Sequence, residues 1–494
     1  MISLPQSVAI ALSLVAATPL LTLSNVAHAD SSIWYKNGDP LNTQLLTLPK
    51  LPDGYREPNS PCGELDLSQS LSLADVADAS LCNNPQTREV WSNTRIQAAQ
   101  LGVAKSAYLP TLSNSTSGNL GVANPESSSR NNPTVNLNNN LAASYLLYDF
   151  GNRDANLENA RQLLLSASAS QSSTVQTILL SATVAFYQVQ ANIAALAAAV
   201  EAERASQESF KAAEARYKAG VSTPADKLQA QTAYAQLTLT RITSEGNLQT
   251  AYGNLANVMG LPANQKISLI SDTSTENKPS IALDSLGGVN TLIEQASLRR
   301  PDLIASEAQL KAAEASIEAN KAAAKPTISI GVSNNLQDGS NLSGNSNSTL
   351  GVTVAIPIFS GYAPTYRIRV AEATADLRAA QRDRLRLQIS LDVWSAYQNL
   401  RTALESVTAT DVLVSSAVES YRVALGRYKA GVGNIIDTLN AQSALASARQ
   451  QQIQAALNSN ITRATLAQSM GALDNAMIQS LPNATNISST SNIH

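Results

Sequence analysis

The sequence predicts an α+β membrane protein built as two copies of one unit: long helix, β-hairpin, very long helix, tip, long helix. Three observations carry that prediction. First, a tip sequence occurs twice. Arg216 to Asp226 reads Arg-Tyr-Lys-Ala-Gly-Val-Ser-Thr-Pro-Ala-Asp, and Arg427 to Asp437 reads Arg-Tyr-Lys-Ala-Gly-Val-Gly-Asn-Ile-Ile-Asp. Second, each tip follows a periodic segment of about 65 residues, which as a helix would span about 100 Å. Third, each unit contains a stretch whose apolar period switches from helical to two, as a strand with one wet face requires.

Bulk composition narrows the function classes. The chain has 494 residues, 4% aromatics and a formal net charge of −3. Ala, Ser, Gln, Asn and Leu dominate, which suits closely packed helices with a polar, weakly charged surface. Nothing electrostatic points to nucleic acid. An enzyme is not expected: the two histidines are His28 and His494, and neither a phosphate-binding Gly loop nor carboxylates at metal spacing occur. No cofactor or metal is expected.

Residues 1–29 read as a signal peptide. An apolar run from Val8 to Leu23 precedes Ala27-His28-Ala29, a small-x-small cleavage pattern. No Lys or Arg precedes the run, so an uncleaved anchor is the alternative. After Asp30 no run of 18 or more apolar residues occurs, so a membrane crossing would use strands. Residues 30–65 read as an extended arm. Cys62 and Cys82 in an exported chain suggest one disulfide. Two unpaired thiols are the alternative, and with no histidine nearby they make no metal site.

The first unit spans 66–262. A helix from near Leu71 breaks at Asn83-Asn84-Pro85, resumes, and ends before Pro110. The hairpin occupies about 111–147. Val135 to Leu147 alternates apolar and polar; residues 111–122 are the weaker strand, with a loop from Asn124 to Pro133. From Arg153 to Tyr217 there is no Pro or Gly. Val175, Ile178, Ala182, Ala185, Val189, Ile193, Leu196 and Val200 form a coiled-coil seam. The tip lies at about 218–225, and a helix follows from Asp226 to about Met259. Residues 263–288 read as a connector.

The second unit, 289–475, repeats the plan. Helices cover Val289 to Leu298 and Pro301 to about Ala324. The hairpin occupies about 327–358, with a loop from Asn334 to Ser348. A long helix runs from about Pro364 to Tyr428, and the tip lies at about 429–436. Pro326 answers Pro110, Tyr397-Gln398 answers Tyr187-Gln188, and Met470-Gly471 answers Met259-Gly260. The spacings stay near 211, which marks a duplicated unit. Residues 476–494 read as a disordered tail.

Four strands cannot close a barrel, and open edges are not tolerated in lipid. Closure must come from further copies: two chains give eight strands, three give twelve and a lumen. Apolar residues would face lipid, and the Asn, Ser, Thr and Gly face would line water. Tyr145, Tyr148, Phe150, Phe359 and Tyr362 fall where an aromatic girdle belongs, or they pack the strand–helix junctions.

The ordered set of motifs, occurring twice over about 65–475, resembles the outer-membrane efflux protein (TolC) family. The paired Tyr-Lys-Ala-Gly-Val tips carry the resemblance. So do the starts at Asn84 and Arg300 and the Phe-Gly and Phe-Ser-Gly junctions. The segment Asn84 to Trp91 with the preceding cysteine resembles the branch that includes type I secretion and fusaric-acid efflux members. The resemblance implies a homotrimer: a 12-stranded outer-membrane β-barrel continued by a periplasmic α-helical coiled-coil barrel. Its partners would be a periplasmic membrane-fusion adaptor and an inner-membrane pump, ABC or proton-driven. The function implied is the exit duct of a tripartite export system. A periplasmic coiled-coil scaffold or adaptor without a barrel is the alternative.

The resemblance also assigns roles at the tips. Asp437 would ring the axis at the entrance constriction and attract cations; Asn440 stands where a second acid is expected. Asp226 and Tyr428 would form a closed-state latch. Gly433 replaces the arginine that completes it. Gly220, Val221, Ser222, Thr223, Gly431, Val432 and Gly433 would form the adaptor-docking surface. Helix capping is the other reading of Asp226 and Asp437.

Overall fold

The computed structural model describes residues 67, 69–121, 134–270, 288–339 and 342–474. The signal peptide, the arm with Cys62, most of the connector and the tail lie outside the described residues. Cys82 is disulfide-bonded.

In chain order the elements are α1 (Leu73–Asn83), α2 (Pro85–Ser106), β1 (Thr111–Gly121), β2 (Thr134–Tyr148), α3 (Asn152–Lys218) and α4 (Pro224–Val258). The second unit supplies α5 (Val289–Arg299), α6 (Pro301–Ala323), β3 (Thr327–Gly339), β4 (Leu342–Ala355), α7 (Ala363–Lys429) and α8 (Ile435–Ser469). The two long helices, α3 and α7, are each 67 residues, about 100 Å at the α-helical rise. Pro85 and Pro301 sit at the first positions of α2 and α6, where a missing N–H costs nothing. That explains the breaks after α1 and α5.

The two hairpins join into one antiparallel sheet in the order β1-β2-β3-β4. Its register sorts the side chains by face. Leu112, Ala143, Val332 and Leu350 lie opposite one another in one row. Tyr145, Ile330 and Val352 form the next row on that face. The other face carries Ser113, Ala142, Ser333 and Thr349, then Ser115, Asn140, Asn335 and Asn347. One face is therefore apolar near the helices and the other is polar, as alternation requires. Two expectations change here. β3 and β4 run to Gly339 and Leu342, so residues 334–339 and 342–348 of the expected loop are strand. The polar run disguised it, because the ladder hydrogen bonds do not depend on side-chain polarity. β4 also ends at Ala355, short of Ile358.

Beneath the sheet, α2, α3, α6 and α7 pack as a row of neighbours, and α4 and α8 pair with α3 and α7 farther down. The largest core joins the two units. Leu73 and Val76 of α1 meet Phe186 and Tyr187 of α3, Leu255 of α4 and Leu457 of α8. Leu292 and Ala296 of α5 pack on Ile389 and Val393 of α7 in the corresponding cluster. By length and composition α3 contains a stretch apolar enough to cross a membrane; interspersed Gln, Ser and Thr hide it from a count of uninterrupted apolar residues. In the fold Leu179, Ala182, Phe186 and Val189 of that helix are buried in the core.

Candidate functional site: the paired tips

Both long helices stop by the same device. Gly220 and Gly431 adopt φ of +71° and +79°, a conformation that L side chains disfavour. Val221 N–H donates to the Arg216 carbonyl and Val432 N–H to the Arg427 carbonyl, both at 3.0 Å. These reach-back bonds satisfy helix-end carbonyls and reverse the chain. Val221 and Val432 stand exposed just beyond the glycines.

The return helices start differently. Thr223 caps α4 in a reciprocal box: Asp226 N–H donates to Thr223 Oγ1 at 3.3 Å, and Thr223 N–H donates to Asp226 Oδ2 at 3.1 Å. Asn434 caps α8, its Oδ1 accepting from Ile436 N–H at 3.1 Å. Asp437 occupies the same third position of its helix as Asp226. It makes no capping box, and its side chain is exposed. Asn440, one turn on, is exposed on the same stripe of α8, followed by Ser443, Ser447 and Gln451. The other side of α8 buries Ile435, Thr438, Gln442 and Leu445. So one aspartate of the duplicated pair serves its own helix, and the other is left for solvent.

Asp226 and Tyr428 do not hydrogen-bond in the protomer. The Asp226 carboxylate is engaged by Thr223, and the Tyr428 hydroxyl is buried with no partner among the described residues. What grips Tyr428 is Arg216, a residue the sequence reading did not single out. Its guanidinium lies 4.8 Å from the Tyr428 ring centre, and Nη1 donates to the Tyr428 carbonyl at 2.8 Å. Burial pushes the Tyr428 phenol up from its ordinary range; the Arg216 charge opposes the shift and the Asp226 charge adds to it. Ala213, Ala230 and Ile435 complete the small core around the ring. The clue was present in the repeated Arg-Tyr-Lys. The two copies behave unequally, however: Tyr428 is buried while Tyr217 is exposed, with Lys227 over its ring.

Gly433 has a packing role. A Cβ there would meet Arg427 Cβ and Tyr428 N at 2.9 Å. A side chain at 433 would therefore force this turn to shift, and the cation seen against Tyr428 is Arg216. Ser222 Oγ is also buried without a partner among the described residues. Across the first tip, Lys227 bridges to Glu214 at 3.3 Å.

The comparisons with known proteins follow the same duplication. A sequence profile of the outer membrane efflux protein family matches residues 76–261 and 292–472. Protein CyaE of Bordetella pertussis is 28% identical over 426 residues, covering 83% of this chain and 86% of its own. The outer membrane protein TolC of Escherichia coli is 22% identical over 441 residues, covering 85% and 86%. Among solved structures, the outer membrane protein VceC of Vibrio cholerae superposes with a TM-score of 0.70 at 17% identity, over 81% of this chain and 97% of that one. Two matched blocks, each holding helices, a hairpin and a tip, place the chain in the outer membrane efflux protein family.

Proposed function

We propose that the chain is the outer-membrane exit duct of a tripartite export system. It works as a homotrimer with a periplasmic adaptor and an inner-membrane pump, and it is a conduit rather than an enzyme. The observation that carries the reading is the four-stranded sheet. It has one apolar and one polar face, and among the described residues β1 and β4 each pair with one strand only. Such a sheet is stable in lipid only when other copies close it. Three copies make twelve strands around a polar lumen, and α3 and α7 continue that lumen for about 100 Å. A coiled-coil scaffold accounts for the helices and leaves the sheet unexplained.

At the far end, the exposed stripe of α8 lines the entrance, and three Asp437 carboxylates surround the axis. Asn440 adds no charge there, so the ring is less negative than a double acid ring. Val221, Thr223 and Val432 offer the surface on which the adaptor docks. The resemblance of Asn84 to Trp91 points to the branch with type I secretion, so secreted protein and small molecules are both admissible cargo.

The test is purification from detergent-extracted outer membranes, then single-channel recording in planar bilayers. A heat-modifiable trimer that conducts is expected. Asp437→Asn should raise conductance and weaken block by multivalent cations. A soluble periplasmic monomer would overturn the duct reading, and an unchanged conductance would remove Asp437 from the constriction.

A further inference from the structure

A cavity of about 460 Å³ is lined by all four upper helices, with Asn93 from α2, Asn159 and Ser166 from α3, Gln309 from α6, and Thr374 and Arg378 from α7. In the row α2-α3-α6-α7 the first and last helices are not neighbours. Both can line one hollow only on the concave side of a curved row. In the proposed trimer that side faces the lumen. The opposite face of the same helices carries Glu158, Lys311, Glu314, Glu318, Lys321 and Glu372. Four of these six are acids and two are bases, and Lys321 pairs with Glu318 at 2.8 Å there.

The concave wall differs. Among the described residues that line it, Arg378 is the one charged side chain. Nearby arginines that tie α6 to α7 have carboxylate partners: Arg300 with Asp302 and Asp392, and Arg386 with Glu307. Arg378 has none among the described residues. It is held by neutral amides, with Nη1 donating to Gln309 Oε1 at 3.2 Å and to Gln381 Oε1 at 3.0 Å. Both bonds use the same nitrogen. The Nε–Nη2 edge, which makes forked contacts with carboxylate and phosphate, has no protein acceptor among the described residues.

We propose that Arg378 is an anion-binding station in the upper duct, taking carboxylate or phosphate groups of passing solutes on its Nε–Nη2 edge. The amides of Gln309 and Gln381 fix the guanidinium without neutralising it. In a trimer three such charges stand at one level, in a channel whose low-dielectric walls focus their field. The duct then carries two stations of opposite sign, Asp437 at the entrance and Arg378 below the barrel. The inference rests on the duct reading above.

The experiment uses the full-length channel in planar bilayers, with tripolyphosphate as the probe on the barrel side and the reversal potential read in a KCl gradient. Wild type should show tripolyphosphate block. Arg378→Gln should weaken it about tenfold or more, the scale of losing a charge-assisted contact, and move the reversal potential toward cation selectivity. Arg378→Lys should keep the selectivity and lose part of the block, because the fork is gone. Lys311→Gln, on the opposite face, should change neither. Conducting channels in which Arg378→Gln matches wild type, or in which Lys311→Gln abolishes the block, overturn this inference alone. A protein that forms no conducting pore overturns the duct reading with it.

Discussion

Replacing Arg216 tests whether the grip on Tyr428 keeps the tip closed. Arg216→Met keeps much of the apolar stem and removes the charge. A cation over an aromatic ring contributes about 1 kcal/mol at a partly exposed site. A hydrogen bond from a charged donor to a carbonyl adds about 1.5–3 kcal/mol when buried. Arg216 is only half-buried, so the lower ends apply, and the contact stabilises the tip in the arrangement seen here by about 2 kcal/mol. On the clamp hypothesis its loss should raise the open-to-closed ratio roughly 30-fold per tip. The readout is the resting leak of wild-type and variant channels in planar bilayers. Tyr428→Phe is the discriminating partner. The hydroxyl has no partner among the described residues, so its loss should leave the leak unchanged. An Arg216→Met leak equal to wild type would refute the clamp. A Tyr428→Phe leak as large as that of Arg216→Met would restore the hydroxyl, and with it Asp226, as the latch.

Three further outcomes follow from the same geometry. Gly433→Ala places a Cβ against Arg427 and the Tyr428 amide; such overpacking costs about 1–3 kcal/mol, so limited proteolysis should cut the second tip faster, and unchanged cleavage would show that the turn has slack. Val352→Lys puts a charge on the apolar face, costing about 2–4 kcal/mol at mid-bilayer depth, and should lower the yield of heat-modifiable trimer, whereas Thr349→Lys on the polar face should not; equal yields would mean the faces are misassigned. A hydrogen bond from Lys227, aided by the charge of Lys218, holds the Glu214 carboxyl below its ordinary value. A lowered carboxylate contributes stability above its unfolded value, which is lost as pH falls through the lowered one, so tip protection should decline below about pH 4; a Glu214→Gln protein with the same pH profile would exclude this pair as the cause.

Most of the architecture is a local property of the chain. The absence of Pro and Gly from Arg153 to Tyr217, the prolines at 85 and 301, and the glycines at 220 and 431 set the helices and their ends. Each acts through its own backbone and nearest turns, so sequence suffices. Period-two alternation likewise set the faces of β2. It failed over residues 334–339 and 342–348, where polar residues dominate both faces and only pairing with the neighbouring strand marks the segments as β. The repeat itself announced two tips, and both turn on a glycine at positive φ.

What the tertiary structure decided is how the copies differ. Asp226 and Asp437 are equivalent by offset, yet Thr223 claims the first carboxylate and Asn434 caps its helix without the second. Tyr217 and Tyr428 are equivalent too, yet only Tyr428 is buried, under an arginine 212 residues away in sequence. Arg378 became visible only when α2 and α7, remote in sequence, were found lining one hollow. In each case the outcome depends on which side chain from another part of the chain arrives at the position. A duplicated sequence specifies the same local backbone twice, while the surroundings of each copy are set by packing between them.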